Sequence, residues 1–321
     1  MVLLILQFIV GLVAIIKGAD WLTDGAAQIA RRFGIPSIVV GLTIVAIGSS
    51  APELVVSVVA ALQSNADMAV GNVVGSNIFN ILAILGITAI VKPIKVDRSN
   101  VRNDVPFAVL SSVALVICAC DSFFGNSTVE PDSISHTDGW LLLCLFAIFM
   151  SYTLTLAKGA GEKEDISDLP PLYKSILWCV VGLVCLVVGG EWMVDGASGI
   201  ASSLGVSDSI IALTIVSAGT SAPELAASVM AARKGDTQMA LGNIVGSVVF
   251  NVFFVLGVSA TIFPLSAAGI TSFDIITLLV ASVLLWVFCR FGKAYYTLSR
   301  AEGAVFVVMI IAYYTYLVMQ A

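Results

Sequence analysis

Histidine occurs once in this chain, at His136 in a polar stretch, so histidine-based catalysis and histidine metal cages have almost no material. Cysteine is also scarce. Its six residues (Cys118, Cys120, Cys144, Cys179, Cys185 and Cys289) lie in or beside apolar runs without metal-site spacing, and read as small hydrophobes in helix packing. Neither H-E-x-x-H nor a G-x-S-x-G nucleophile context occurs, so an enzyme is not the expectation. Charged residues make up only 11% of the chain, and a net charge of −6 offers no basic footprint for nucleic acid. No linker is long enough to join independent soluble domains. The acidic run 162–168 lacks the glycine and spacing of an EF-hand loop and reads as a solvated connector. The amino end has no basic n-region, so residues 1–16 read as a retained first span rather than a cleaved signal.

What the sequence has instead is apolar length: 59% of its 321 residues are hydrophobic, the composition of an integral membrane protein. The runs last about 18–25 residues without strict alternation, which predicts helices rather than barrel strands. The expected fold is an all-α polytopic membrane protein. Its ten spans lie near 2–28, 37–62, 69–91, 104–120, 139–157, 174–200, 208–232, 240–262, 273–290 and 302–319. They divide into a first five-helix unit (1–157), a linker (158–173) and a second five-helix unit (174–321).

Residues 18–93 align with 189–264 at one constant offset and without gaps, with roughly half the positions identical, which marks duplication of a whole helical unit. Trp21/Trp192, Asp24/Asp195, Glu53/Glu224, Asn72/Asn243 and Asn80/Asn251 are among the pairs. An odd number of helices per copy sends the second copy into the membrane from the opposite side, as an inverted repeat. Lysine and arginine test this independently. Arg31, Arg32, Lys92, Lys95, Arg98, Arg102, Lys158, Lys163, Lys174, Arg233, Lys234, Arg290, Lys293 and Arg300 all fall in or beside the odd-to-even loops. Only Lys17 departs. This pattern places those loops in the cytoplasm and both termini outside.

The segment Gly48-Ser49-Ser50-Ala51-Pro52-Glu53 recurs as Gly219-Thr220-Ser221-Ala222-Pro223-Glu224, each copy inside an apolar stretch. Proline removes a helix hydrogen bond, so the second and seventh spans should break near 48–52 and 219–223. A break frees carbonyl oxygens beside the hydroxyls of Ser49, Ser50, Thr220 and Ser221, with Glu53 and Glu224 one turn on. These hard oxygen donors suit Na+ or Ca2+ and are poor for zinc or copper. The following spans carry Ser76 with Asn80, and Ser247 with Asn251, each pair four apart and on one helix face. Nearby glycines, at 71 and 75 and at 242 and 246, predict close helix approach. Two carboxylates near the midplane cost about 2.5–3.5 kcal/mol each on insertion scales unless a cation neutralises them. One Ca2+, or two or three Na+, balances that charge. Asp20, Asp24, Glu191 and Asp195 lie nearer the interfaces, where Lys17 is expected to pair with Asp20 or to snorkel.

At these residues the sequence resembles the sodium/calcium exchanger family, in the compact prokaryotic form. The two α-repeats, about 41–86 and 212–257, contain G-[ST]-S-x-P-E and G-N-x-x-G-S-x-x-x-N. The resemblance implies Ca2+ ligation by Glu53 and Glu224, assisted by Ser49 and Thr220. It also implies Na+ sites built from the backbone carbonyls of Ala46 and Ser217, the hydroxyls of Ser76 and Ser247, and Asn80 or Asn251, with Ser50 and Ser221 completing the lining. The first and sixth spans would slide as a pair to alternate access. The chain departs from the family pattern at Ser49, where threonine is common, and at Ser217, Val248 and Asn251. Neutral Asn251 weakens the case for K+ cotransport, and the short central linker has no room for large regulatory Ca2+-binding domains.

The expected function is Ca2+ export driven by Na+ entry, with Ca2+ and Na+ as cargo and no prosthetic group. The protein is expected to act as a monomer in a prokaryotic inner membrane. A cation/proton antiporter of the same fold is the alternative, and a passive cation channel a more distant one. The G-N-x-x-E pattern associated with proton-coupled relatives is absent, since Gly75 and Gly246 stand at its fourth following position.

Overall fold

The computed structural model describes residues 2–62, 66–120, 132–159, 169–204, 217–292 and 296–320. Its membrane-length helices are α1 (Val2–Phe33), α4 (Met68–Val91), α5 (Arg98–Ala119), α6 (His136–Lys158), α7 (Leu172–Ser203), α10 (Thr237–Ile262), α11 (Ser272–Phe291) and α12 (Arg300–Met319). A ninth span is broken into α2 (Ser37–Ser49) and α3 (Ala51–Leu62), bent by 48°. The described part of the tenth comprises α8 (Ser217–Thr220) and α9 (Ala222–Lys234). Residues 205–216, the expected first half of the seventh span, lie outside the described residues, as do 160–168 of the linker and Lys293. The fold is thus all-α, with two inverted five-helix repeats and breaks in the second and seventh spans.

Local signals set several helix ends. Pro36 and Pro171 precede α2 and α7, where a missing N–H costs nothing. Asp236 caps α10 by accepting from the Met239 N–H at 2.9 Å, and Thr271 and Asp274 form a reciprocal capping box on α11. Gly235 ends α9 with φ 99°, a left-handed turn that glycine adopts freely. The observed α1, α6 and α7 run several residues beyond their expected ends because their terminal turns continue past the apolar window.

Two contacts join a residue to its own counterpart and so mark the pseudo-two-fold axis, once a one-residue shift after the gap-free stretch pairs Asp104 with Asp274 and Ser112 with Ser282. Ser112 and Ser282 share a hydrogen bond of 2.7 Å between α5 and α11. Asn77 donates to the carbonyl of Val248, its partner in the other repeat, at 3.1 Å. Such self-complementary contacts are what a two-fold arrangement requires.

Short strands outside the spans report the relative sides of the loops. β1 (Ile94–Lys95) pairs antiparallel with β4 (Thr297–Leu298), and β2 (Ser133–Ile134) pairs with β3 (Leu265–Ser266). The loop after α4 therefore shares an end of the bundle with the loop before α12. The loops after α5 and α10 share the other end. This is the alternation that inverted repeats demand.

The core is central: α4 and α10 bury 83% of their apolar windows, against 22% for the peripheral α1 and 28% for α7. At about 1.5 Å per residue, the 32-residue α1 and α7 are about 48 Å long, more than a ~30 Å hydrocarbon core requires. They pack antiparallel through glycines. Gly11, Gly18 and Gly25 of α1 face α7 backbone near Gly189, Gly182 and Ser175, and Gly196 of α7 faces Phe8. Their seven-residue spacing forms a smooth seam that admits no side chain.

Candidate functional site

The two breaks are alike to within a few degrees. Ser50 has φ −87° and ψ 12°, and Ser221 has φ −91° and ψ 9°. Both occupy the sparsely allowed bridge region that recurs at functional sites. Each break sets Glu53 or Glu224 on the first turn of the following half-helix, where the positive end of the helix dipole favours a carboxylate. Proline sits one residue before each glutamate, at a position where its ring starts a helix rather than interrupting one.

The structure brings the predicted residues together at the crossing of the two breaks. Glu53 and Glu224 are each 1% exposed, and Ser49, Ser50, Ser221, Ser76, Ser247, Asn80 and Asn251 are buried around them. Bonds cross between the repeats: Ser50 Oγ donates to Glu224 Oε1 at 2.7 Å, and Ser221 Oγ donates to Glu53 Oε1 at 3.3 Å. The Ser76 hydroxyl also faces Glu53, and the Ser49 hydroxyl faces Glu224. Ala46 is fully buried at the start of the last turn before Ser50. The Ser217 backbone opens α8, while its side chain lies outside the described residues. Thr220 is only half-buried and turns toward two cavities.

Asn80 and Asn251 each open a π-helical segment, Asn80–Ile84 and Asn251–Leu256. Wider turns of this kind concentrate at functional sites, and no periodicity in the sequence announces them. A third π segment, Gly41–Val45, precedes the first break. Gly242 and Gly246 press against Ile38, Leu42 and Ala46, as the glycine spacing predicts. The expected close approach does not occur at Gly71, where an added Cβ would meet nothing within 4 Å and the glycine lines a cavity instead. The segment symmetry-equivalent to the Gly242 contact, at residues 209–217, falls almost wholly outside the described residues.

Unpaired oxygens outnumber unpaired nitrogens among the described residues of the centre, where Asn80 Nδ2 also lacks a partner. Among the described residues, Glu53 Oε2, Glu224 Oε2, Asn80 Oδ1, Asn251 Oδ1 and Ser247 Oγ are buried without a hydrogen-bond partner. Orphaned buried polar groups cost about 1–3 kcal/mol each, and ionised ones more. Cations satisfy such a set, and all of these atoms are hard oxygen ligands of the kind Na+ and Ca2+ take.

Sequence reasoning gave no role to Asn72 and Asn243, although both recur at the repeat offset. Asn243 Nδ2 donates to the Glu224 carbonyl at 3.3 Å and to Ser228 Oγ at 2.8 Å, and its Oδ1 accepts from Ser49. Asn72 makes the matching bonds to the Glu53 carbonyl at 3.4 Å and Ser57 at 3.1 Å. The two amides therefore strap each glutamate-bearing half-helix to the next span. Asn251 Nδ2 donates to Asn77 Oδ1 at 3.1 Å. In the second copy the equivalent of Asn77 is Val248, so this amide link exists on one side of the axis only.

Access differs between the two ends. A cavity of about 360 Å³ lies between the breaks and α7, lined by Pro52, Val56, Glu191, Asp195, Thr220 and Pro223. Another of about 470 Å³ lies between α4, α11 and α12, lined by Gly71, Asn72, Thr220, Asp274 and Tyr313. The second reaches Gly269 and Ile270 just after β3, and Thr220 borders both. At the other end Lys234 bridges α9 to α1, with Nζ 2.5 Å from Asp20 and 2.7 Å from Asp24. Arg32 adds a bond to the Pro170 carbonyl at 2.6 Å. Of the two outcomes expected for Lys17, pairing with Asp20 is not seen among the described residues; Lys17 is exposed on α1, and Lys234 from the other repeat reaches the carboxylates. That partner is 214 positions away and invisible to local spacing.

Comparison with known proteins converges on one group. The family model described as "Sodium/calcium exchanger protein" matches residues 3–155 and 174–320. A putative antiporter, CaxA, from Alkalimonas amylolytica is 38% identical over 95% of both chains. The sodium/calcium exchanger MaX1 of Methanosarcina acetivorans is 29% identical over 96% of both. Among solved structures, the sodium-calcium exchanger NCX_Mj soaked with 10 mM Na+ superposes with a TM-score of 0.84 at 32% identity, covering 97% of this chain and 98% of that one.

Proposed function

Since the chain belongs to the sodium/calcium exchanger family, we propose that it is a secondary antiporter that exports Ca2+ in exchange for Na+ by alternating access. One observation carries the reading: two buried carboxylates, one from each repeat, converge with buried oxygens that lack partners. Glu53 and Glu224 are the central Ca2+ ligands, with Ser49 and Thr220 beside them. The Ala46 and Ser217 carbonyls, Ser76, Ser247, Asn80 and Asn251 supply the flanking Na+ positions, and Ser50 and Ser221 orient the carboxylates.

The chemistry is a competition for charge balance. Two carboxylates contribute about −2, which one Ca2+ matches and which two Na+ also match. A third Na+ makes the cycle electrogenic, and the membrane potential then contributes about 2.3 kcal/mol per charge per 100 mV. The end bearing β1 and β4 is cytoplasmic, because the lysines and arginines gather there. The termini are then external, the cavity that reaches past β3 faces outward, and the Lys234 bridge closes the inner side. The protein resides in the cytoplasmic membrane and works as a monomer. An E. coli relative, 36% identical over 80% of this chain, is named an inner membrane protein.

The test is radioactive Ca2+ flux into sealed proteoliposomes under separately imposed Na+, K+ and proton gradients. Uptake driven by an outward-directed Na+ gradient is expected. A response to pH alone would assign the proton-coupled alternative, and flux without any counter-ion would assign a channel.

A further inference from the structure

At the β1–β4 end, away from the carboxylates, α5 and α11 enclose a cavity of about 740 Å³. Three guanidiniums converge on its mouth: Arg98 and Arg102 from α5 and Arg290 from α11. Among the described residues none of the three forms an ion pair with a carboxylate. Two of them share a ring instead, with Arg98 Cζ 5.3 Å and Arg290 Cζ 5.7 Å from the centre of Tyr296. Tyr296 holds φ 57°, the only non-glycine residue with positive φ among those described. A bulky side chain in that region is strained, and such strain gathers at ligand clamps.

Below the mouth the lining becomes apolar. Leu110 and Val113 on α5, and Val283 and Trp286 on α11, line it with 37–44% of their surface exposed. From Arg102 to Val113 the helix rises about 16 Å, close to half of a ~30 Å hydrocarbon core. Trp286, near the end of α11, donates to the Val101 carbonyl at 3.2 Å, which fixes its ring as one wall. The groove thus has the depth of one leaflet, with cations only at its top.

Duplication does not account for those cations. Aligning the repeats on Ser112 and Ser282 places Ala268 and Ser272 opposite Arg98 and Arg102. The fold therefore tolerates this position without guanidiniums, and one end of the molecule has acquired three. Bringing like charges to one ring without an acid is unfavourable unless an anion joins them, and guanidiniums bind phosphate oxygens bidentately.

We infer that this groove is a binding site for an anionic phospholipid of the adjoining leaflet, its phosphate held by Arg98, Arg102 and Arg290 and one acyl chain lying against Leu110, Val113 and Trp286. Basic pockets between helices on the cytoplasmic side are the kind that take acidic headgroups.

Brominated lipids quench tryptophan on contact, so the test titrates the full chain in neutral detergent with dibromo-phosphatidylglycerol or dibromo-phosphatidylcholine. Subtracting the Trp286→Phe signal isolates the groove from the other tryptophans. The expected result is Trp286-dependent quenching at least about tenfold tighter for the anionic lipid, equivalent to about 1.4 kcal/mol. Combined Arg98→Gln, Arg102→Gln and Arg290→Gln substitution should remove that preference. If the triple variant fails to fold, Arg102→Gln alone, which breaks no ring contact, should weaken the anionic lipid about threefold or more. Equal quenching by both lipids, or unchanged preference in the arginine variants, overturns the assignment. Loss of quenching on adding millimolar inorganic phosphate would show a free-anion site and overturn it as well.

Discussion

The Ser50 hydroxyl lies 2.7 Å from Glu224 of the opposite repeat, whereas its mirror image, Ser221 to Glu53, spans 3.3 Å. Each half of the duplicated motif therefore holds the other half's carboxylate, and the two grips are unequal. Hydrogen bonds to charged groups contribute about 1.5–3 kcal/mol. Ser50→Ala should weaken half-saturating Ca2+ in flux assays by about tenfold or more, and Ser221→Ala by a smaller factor. Equal effects from the two alanines would show that the difference in length has no functional weight.

Replacing either central carboxylate tests the charge-balance argument. Glu53→Gln and Glu224→Gln keep volume and remove one charge, so coupled exchange should fall at least about a hundredfold, with a monodisperse elution profile retained. Near-normal exchange in either variant rejects the two-carboxylate centre.

The asparagine straps make a separable prediction. Asn243→Ala removes a bond to the Glu224 carbonyl and another to Ser228, and takes away one of the two acceptors of the Ser49 hydroxyl, leaving the Ala46 carbonyl. Loss of about 1–3 kcal/mol is expected, read as a lower unfolding temperature in detergent together with weaker Ca2+ binding. An unaltered melting curve would mean that the amide does not brace the half-helix.

Lys234 tests how the inner end is closed. Its counterpart in the first repeat is Gln63, while Asp20 and Asp24 are matched by the acidic Glu191 and Asp195. Only one end has a lysine to join the helices. Lys234→Gln should raise labelling of a cysteine placed at Ala46 from the cytoplasmic side, by about twofold to tenfold for an exposed pair of about 0.5–1.4 kcal/mol. No change in labelling would place the closure elsewhere.

Much of the site was legible because its residues are costly in a bilayer. Glu53, Pro52, Glu224 and Pro223 stand out in apolar surroundings, and exact recurrence removes the chance reading. The inverted arrangement followed from helix parity and loop charge. Other features left fainter traces. The straps of Asn72 and Asn243 were visible as repeated letters but not as bonds, since their partners lie 15 and 19 positions away. The glycine seam of α1 and α7 repeats every seven residues within strongly apolar sequence, where it resembles ordinary small-residue packing. Lys17, expected to pair with Asp20 or to snorkel, is exposed on α1, and the lysine that pairs with Asp20 comes from the other repeat, where no local spacing points to it. The π segments depend on backbone hydrogen bonding across turns, for which side-chain patterns carry no distinct period.

The two small strand pairs divide the molecule mechanically. β1–β4 and β2–β3 staple loops adjoining α4, α5, α6, α10, α11 and α12, one staple at each face. Among the described residues no strand touches α1 or α7, whose shared seam is bare backbone. The stapled helices are thus tied to one another at both faces, while the long pair is zipped chiefly to itself along its glycines. The half-helices that carry Glu53 and Glu224 belong to neither clamp, so their position is set by packing and by the asparagine straps rather than by strand pairing.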